Sequence, residues 1–253
     1  MSAGHPARGA ASDGPPPTQF LRFDLGAGEH LALDLLPGNA PGYLFLHGLG
    51  SVRNGEKSTS LFDHAARTGR AAARFDFRGH GESSGQLGQV TIRELIDDTL
   101  RVLERTGPAV VVGSSLGGLV GAFASAARPD LVRGLALLAP ALGFLTRIDQ
   151  RVDADGRMKT SEGRSFVLSE RVVRDARTLD ERSLPARLTM PTLVVHGTAD
   201  EVVPPEASER FHAALASTRK DLWIVPDGNH RLNAQKEQLW PRLDQLVACW
   251  PPA

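Results

Sequence analysis

Cysteine is almost absent from this chain of 253 residues: Cys249 is the only one. It has no partner for an internal disulfide and no companions for a thiolate metal cluster, which excludes a disulfide-stapled scaffold and a zinc module. A charge bias is missing too, with Lys+Arg and Asp+Glu at 29 each and a net charge of zero. There is thus no electrostatic footprint for nucleic acid or an anionic membrane surface, and the expected partner is a small molecule. Long apolar runs are also wanting. The longest, residues 135–145, is interrupted by Pro140 and falls well short of a membrane span. The N-terminus lacks the charged start and unbroken apolar core of a secretory signal, and Arg8 alone supplies too little arginine for a transit peptide. With its single cysteine, the chain is expected to be cytoplasmic.

What is present suits one sizeable core. Residues 1–19, rich in Ala, Gly, Pro and Ser and closed by Pro15-Pro16-Pro17, predict a disordered leader. Residues 20–253 then predict a single domain. Alternating apolar and polar residues over 20–36, with Gly26-Ala27-Gly28 in the middle, predict a β-hairpin. From Tyr43 to Ala139 short β-branched or apolar runs alternate with amphipathic stretches, notably Ile92, Leu95, Ile96, Leu100 and Leu103. This rhythm calls for a mainly parallel sheet covered by helices on both faces, an α/β fold. The rhythm breaks over 141–190, a charged segment with few large apolar residues (Leu142, Phe144, Leu145, Phe166 and Val167), and resumes at Thr192. An insertion after a sheet strand, at the edge where such sheets bind ligands, predicts a small lid.

Within that frame, Val110-Val111-Val112 runs into Gly113-Ser114-Ser115-Leu116-Gly117, a strand, a sharp turn and a helix start. In a G-x-S-x-G turn the central serine is pushed out above the sheet, and Gly113 and Gly117 let strand and helix close on it. Ser115, not Ser114, is therefore the expected nucleophile. A second strand, Tyr43 to His47, ends in Gly48-Leu49-Gly50, where the Leu49 N–H can turn toward an anion. A serine hydroxyl needs a base, and the base needs an orienting carboxylate. Asp200 and His230 each follow a predicted strand, in the order serine, acid, base. Glu201 and Asp227 are the rival acids, and His196 and His212 the rival bases. His196 is expected at a strand end and His212 on a helix, both structural. Asp76 and His80 lie in a Gly-rich loop expected to be held by its own hydrogen bonds.

His-Gly-Leu-Gly, Asp-Phe-Arg-Gly-His-Gly-Glu-Ser, Gly-Ser-Ser-Leu-Gly-Gly, His-Gly-Thr-Ala-Asp and Gly-Asn-His together resemble the α/β-hydrolase superfamily from about residue 20 onward. More narrowly, Ser51-Val-Arg-Asn54-Gly55-Glu-Lys57, Arg74-Phe-Asp76 and Val112 to Gly118 with Ala127-Arg-Pro129 are similar to the mitochondrial acyl-protein thioesterase and acyl-glucuronide esterase group. The resemblance implies an α/β-hydrolase fold and a serine hydrolase acting on small esters or acyl thioesters. Ser115, Asp200 and His230 would be its triad, and the Leu49 and Leu116 N–H groups its oxyanion hole. No metal or other cofactor is implied. The rival from another class is an inactive hydrolase serving as a binding module, whose mark would be a missing triad member. Oligomeric state is not legible.

Overall fold

The computed structural model describes residues 17–160 and 163–248, so the expected leader and Cys249 lie outside the described residues, apart from residues 17–19. Gln19 already opens the first strand. In chain order, β1 (Gln19–Gly26) and β2 (Glu29–Leu36) form the hairpin, followed by β3 (Asn39–Leu46), α1 (Glu56–Thr68), β4 (Arg70–Phe75) and α2 (Ile92–Thr106). Next come β5 (Ala109–Ser114), α3 (Leu116–Ala127) and β6 (Val132–Leu138). The segment after β6 carries α4 (Ile148–Arg151), the hairpin β7 (Arg157–Lys159) and β8 (Ser165–Val167), α5 (Glu170–Thr178) and α6 (Leu184–Arg187). The chain then returns to the sheet as β9 (Thr192–Gly197), α7 (Pro205–Ala214), β10 (Lys220–Val225) and α8 (Lys236–Ala248).

Eight strands form one sheet in the order β1-β2-β4-β3-β5-β6-β9-β10. The six from β4 to β10 in that order are parallel, and the hairpin adds an antiparallel edge. Successive side chains on a strand face opposite ways, and the core divides accordingly. Leu44, Leu46, Val111, Leu135, Leu137 and Val194 face α2 and α3, whereas Tyr43, Phe45, Val110, Val112, Leu193 and Val195 face α1 and α8. Local signals fix the helix ends: Thr91 and Glu94 cap α2 reciprocally, and Gly69 ends α1 in the left-handed region at φ 68°.

Two expectations shift. The third strand starts at Asn39 rather than Tyr43, because the Asn39 N–H bonds back to Gly69 O at 2.8 Å. The β7–β8 hairpin was not foreseen, since three residues a side are too few to show periodicity.

Candidate active site

The carboxyl ends of β5, β9 and β10 bring together three residues that lie far apart in the chain. Ser115 sits between β5 and α3 with φ 53° and ψ −117°, a region that L residues adopt only when their surroundings impose it. What imposes it is crowding. A Cβ on Gly113 would lie 2.3 Å from Gly117 O, and one on Gly117 would lie 2.2 Å from Leu46 O. Only glycine lets strand, turn and helix approach that closely. The serine backbone is pinned from both sides, its N–H to Leu138 O at 3.0 Å and its carbonyl to the Ala141 N–H at 3.0 Å.

His230 stands between the other two, its Nε2 3.0 Å from Ser115 Oγ and its Nδ1 2.7 Å from Asp200 Oδ2. The second Asp200 oxygen accepts the Val202 and Val203 N–H groups at 2.8 and 2.9 Å. Burial alone pushes the Asp200 carboxyl up, but hydrogen bonds from His196, His230 and Val203 outweigh it and hold the group well below the usual carboxylate range. Among the expected rivals, Glu201 is exposed, and it is Asp200 that bonds His230 Nδ1. Asp227 lies beyond the strand end, its N–H bonded to Thr198 Oγ1 at 2.9 Å.

Facing Ser115 is the loop after β3, where a Cβ on Gly48 would stand 3.3 Å from Ser115 Cβ. Leu49 follows in this loop, and Leu116 opens α3, where the first N–H groups have no partner within the helix. The loop is held by the buried imidazole of His47, whose Nδ1 lies 2.8 Å from Gly48 O and whose Nε2 accepts the Phe77 N–H at 3.0 Å. Burial, reinforced by the neighbouring His80, keeps His47 well below the ordinary histidine range and hence neutral. Asp76 serves the same architecture: its fully buried carboxylate accepts the Arg53 N–H at 2.6 Å and the Glu82 N–H at 3.0 Å.

Two groups that the sequence left in the background take part. His196, buried beneath Asp200, places Nε2 2.9 Å from Val203 O, its hydrogen-bond partner, and 2.9 Å from Asp200 Oδ2, with Nδ1 2.7 Å from Ser208 Oγ. Lys57, on the first turn of α1, reaches Arg231 O, next to His230, and lies 3.4 Å from Asn233 Oδ1. Burial, with the nearby Arg231 charge, pulls its ammonium down to about 8. His212 stays on α7, away from the cleft.

Above these groups opens a cleft of about 270 Å³, lined by Ser115, His230, Leu49 and Leu116 from the sheet side and by Ala141, Phe144, Met158 and Thr160 from residues 141–190. The latter segment contributes more apolar surface than its composition suggested. Ile148, Met158, Leu168, Val172 and Ala176 are all buried against the α2–α3 face, while Val167 points outward. Among the described residues, no group of three His, Cys, Asp or Glu side chains could hold a metal ion. No helix among them is long and apolar enough to cross a membrane.

A parallel sheet with a strained serine at the end of a central strand, faced by an imidazole and a carboxylate from later strand ends, defines a class. The chain has the alpha/beta hydrolase fold. The alpha/beta hydrolase fold family matches residues 44–160, and the serine aminopeptidase S33 family matches residues 172–237. The chain is 29% identical over 234 residues to the mitochondrial palmitoyl-protein thioesterase ABHD10 of Bos taurus, covering 86% of this chain and 76% of that one. The Homo sapiens protein of the same name matches at the same identity and coverage. The structure of mouse alpha/beta hydrolase domain-containing protein 10 superposes with a TM-score of 0.80 at 27% identity, covering 92% of this chain and 99% of that one. Est1E of Butyrivibrio proteoclasticus, in a complex with ferulic acid, shares the fold with a TM-score of 0.78 at 24% identity, covering 90% and 99%. The expected cytoplasmic location is corrected by these relatives: the proteins of Bos taurus, Mus musculus and Homo sapiens are mitochondrial by name, which points to the mitochondrion. A lone Arg8 and a lone cysteine were too thin a basis for placing the chain in a compartment.

Proposed function

We propose that the chain is a serine esterase and thioesterase acting through an acyl-enzyme on Ser115. The observation that carries this is the unbroken relay Ser115 Oγ to His230 Nε2 to Asp200 at 3.0 and 2.7 Å. His230 takes the Ser115 proton as Oγ bonds to the carbonyl carbon, and the carbonyl oxygen, now an anion, is met by the Leu49 and Leu116 N–H groups. The bond to the leaving oxygen or sulfur then breaks, with His230 returning the proton to it. Water, deprotonated by the same imidazole, next attacks the acyl-serine, which releases the acid and regenerates the hydroxyl. Asp200 fixes the tautomer and stabilises the imidazolium. Residues 141–190 serve as the lid, roofing the cleft with Phe144 and Met158.

The relatives' names specify a palmitoyl-protein substrate. For this chain we favour short to medium acyl groups, because the cleft of about 270 Å³ lies at the small end for ligand sites. Each further buried CH₂ gains only about 0.8 kcal/mol, and only where apolar wall meets it. The test is labelling by a fluorophosphonate probe, read by intact mass. Wild type should gain one adduct and Ser115→Ala none, with ester turnover falling roughly a millionfold. Labelling that persists in Ser115→Ala, or moves to Ser114, would overturn the assignment. An unlabelled wild type would favour the binding-module alternative.

A further inference from the structure

The cleft over Ser115 is not the whole cavity. During acylation the leaving atom must come within reach of His230 Nε2 to receive its proton, so the leaving group points toward the side walled by Lys57, Val203, His230 and Asn233. The acyl substituent must point the other way. On that side, past Leu49 and Leu116, lies a second, more enclosed cavity of about 30 Å³ that no triad residue lines. Four residues, Leu49, Leu116, Phe144 and Met158, line both spaces, so the second adjoins the first beside the serine.

The walls of this inner cavity are apolar, with Ile92, Leu95, Ile148, Phe166 and Leu168 among them. Two charged or titratable side chains interrupt them, Arg78 and His80. The Arg78 guanidinium is paired, with Nε 2.7 Å from Asp98 and Nη1 2.9 Å from Glu29. His80 is not. Its Nδ1 lies 3.2 Å from Arg78 O, which places the proton there and leaves a lone pair on Nε2. That Nε2 is buried without a hydrogen-bond partner among the described residues, and His80 as a whole is 8% exposed. The neighbouring imidazole cannot serve it. His47, at 5.1 Å between ring centroids, has both nitrogens committed to Gly48 O and the Phe77 N–H. Burial lowers the basicity of His80, so it stays neutral and its Nε2 stays an acceptor. His80 is among the residues that line the apolar cavity, and a buried neutral acceptor without a partner calls for a donor, which a ligand entering there can bring.

We propose that the inner cavity is the acyl subsite and that it selects short to medium acyl groups bearing a hydroxyl near their far end, which donates to His80 Nε2. The proposal rests on the Ser115 mechanism and deepens it, naming hydroxyacyl esters or thioesters as the preferred class. A space of about 30 Å³ holds roughly two water-sized groups, enough for a chain end and its hydroxyl and too little for a long tail. A site that has set aside a buried acceptor also discriminates against the unsubstituted chain, which would leave that acceptor unpaired.

The test is a paired series of N-acetylcysteamine thioesters, butanoyl, hexanoyl and octanoyl, each with and without a terminal hydroxyl, assayed on the whole chain. One length should favour the hydroxylated member by roughly three- to tenfold in kcat/KM, the range expected of one neutral hydrogen bond. His80→Leu should abolish that preference at that length, and His80→Gln, which keeps an acceptor, should retain part of it. If His80→Leu does not fold, Met158→Trp, which adds bulk where the two spaces adjoin, should shift the optimum to a shorter chain and remove the preference. Equal rates within every pair, with the unsubstituted thioesters still cleaved at Ser115, would overturn the subsite and leave the hydrolase intact. Inertness toward every member would instead overturn the hydrolase. A preference that survives His80→Leu, or an ordered water kept on Nε2 in a complex with a hydroxyacyl phosphonate, would overturn the role of His80.

Discussion

Ser115, Asp200 and His230 hang from turns at the ends of buried strands, whereas residues 141–190, which roof them, are tied down largely by side chains. On the floor of the cleft the backbone does the positioning: Ser115 is held by Leu138 O and the Ala141 N–H, and Asp200 by the Val202 and Val203 N–H groups. In the roof, α4, the β7–β8 hairpin and α5 are short, and polar contacts pin them to the body. Arg93 of α2 reaches Asp175 and Arg171 reaches Glu94 of α2, while within the roof itself Glu181 accepts the Gly143 and Leu145 N–H groups. A site whose atoms must stand within a fraction of an ångström belongs on the rigid part. A surface that must admit substrates belongs on the part with the weaker ties.

The sharpest way to break that contrast is on the floor. Asp200→Asn should fold and yet lose roughly three to four orders of magnitude in kcat, because the imidazole no longer has its tautomer fixed. Steady-state kinetics alongside circular dichroism will check this, and Glu201→Gln is the comparison expected to do far less. There is also an acid signature. The Asp200 carboxyl is held below the usual range in the fold, so its stabilising contribution is present above that range and is lost as pH falls through the folded value. The variant should therefore show a flatter loss of stability on acidification than wild type.

A step down in size, His196→Phe tests whether Asp200 needs support from below. Its Nε2 lies 2.9 Å from Val203 O, its hydrogen-bond partner, and 2.9 Å from Asp200 Oδ2, so the ring braces the turn that carries the carboxylate. Removing it loosens the turn whose Val203 N–H holds the carboxylate, and a misplacement of about an ångström lowers kcat by roughly tenfold to a hundredfold. The drop should fall on kcat with KM little changed. A KM effect alone would assign His196 to packing.

These residues were not equally legible in the sequence. The serine turn, the loop after β3 and the strand-end acid and base are local patterns in which glycines and β-branched runs dictate the backbone, so Ser115, Asp200, His230, Leu49 and Leu116 could be named as candidates from the chain alone. The contact between His196 and Asp200 was hidden because His196 reads simply as the end of β9, and only the fold back after it carries the carboxylate under the ring. Lys57 and Arg231 are 174 positions apart, and no periodicity links them. The apolar contribution of residues 141–190 was undercounted for a different reason: Ile148, Met158, Leu168 and Val172 come from short pieces whose spacing repeats no helix or strand period.

In the roof the effects should be smaller and should fall on stability and KM. Glu181 is buried, and burial raises its carboxyl against the pull of the Gly143 and Leu145 N–H groups. A carboxyl raised in the fold contributes stability below its unfolded value and loses it as pH rises through the folded one. Glu181→Gln keeps an acceptor without burying a charge, so its stability relative to wild type should improve from acid to neutral pH. Glu181→Ala orphans both N–H groups and should cost about 2 kcal/mol in denaturant melts. If the two variants behave alike at all pH values, the carboxylate is not what holds the segment.

The smallest effect is expected where the roof meets α2 at the surface. Arg93 spans to Asp175 at 3.3 Å and to Thr178 Oγ1 at 3.1 Å, but half of its side chain faces water. Such a pair gains little, because solvent screens the attraction and two long side chains must be held still. Arg93→Gln should therefore shift Tm by no more than about 2 °C, and added salt should shrink even that difference. Its effect on hydrolysis should be confined to a small rise in KM, since α5 backs the inner cavity through Val172 and Ala176 without reaching Ser115. A large fall in kcat from this one surface change would mean that roof and floor move as one body, and the division between a rigid floor and a lightly tied roof would fail.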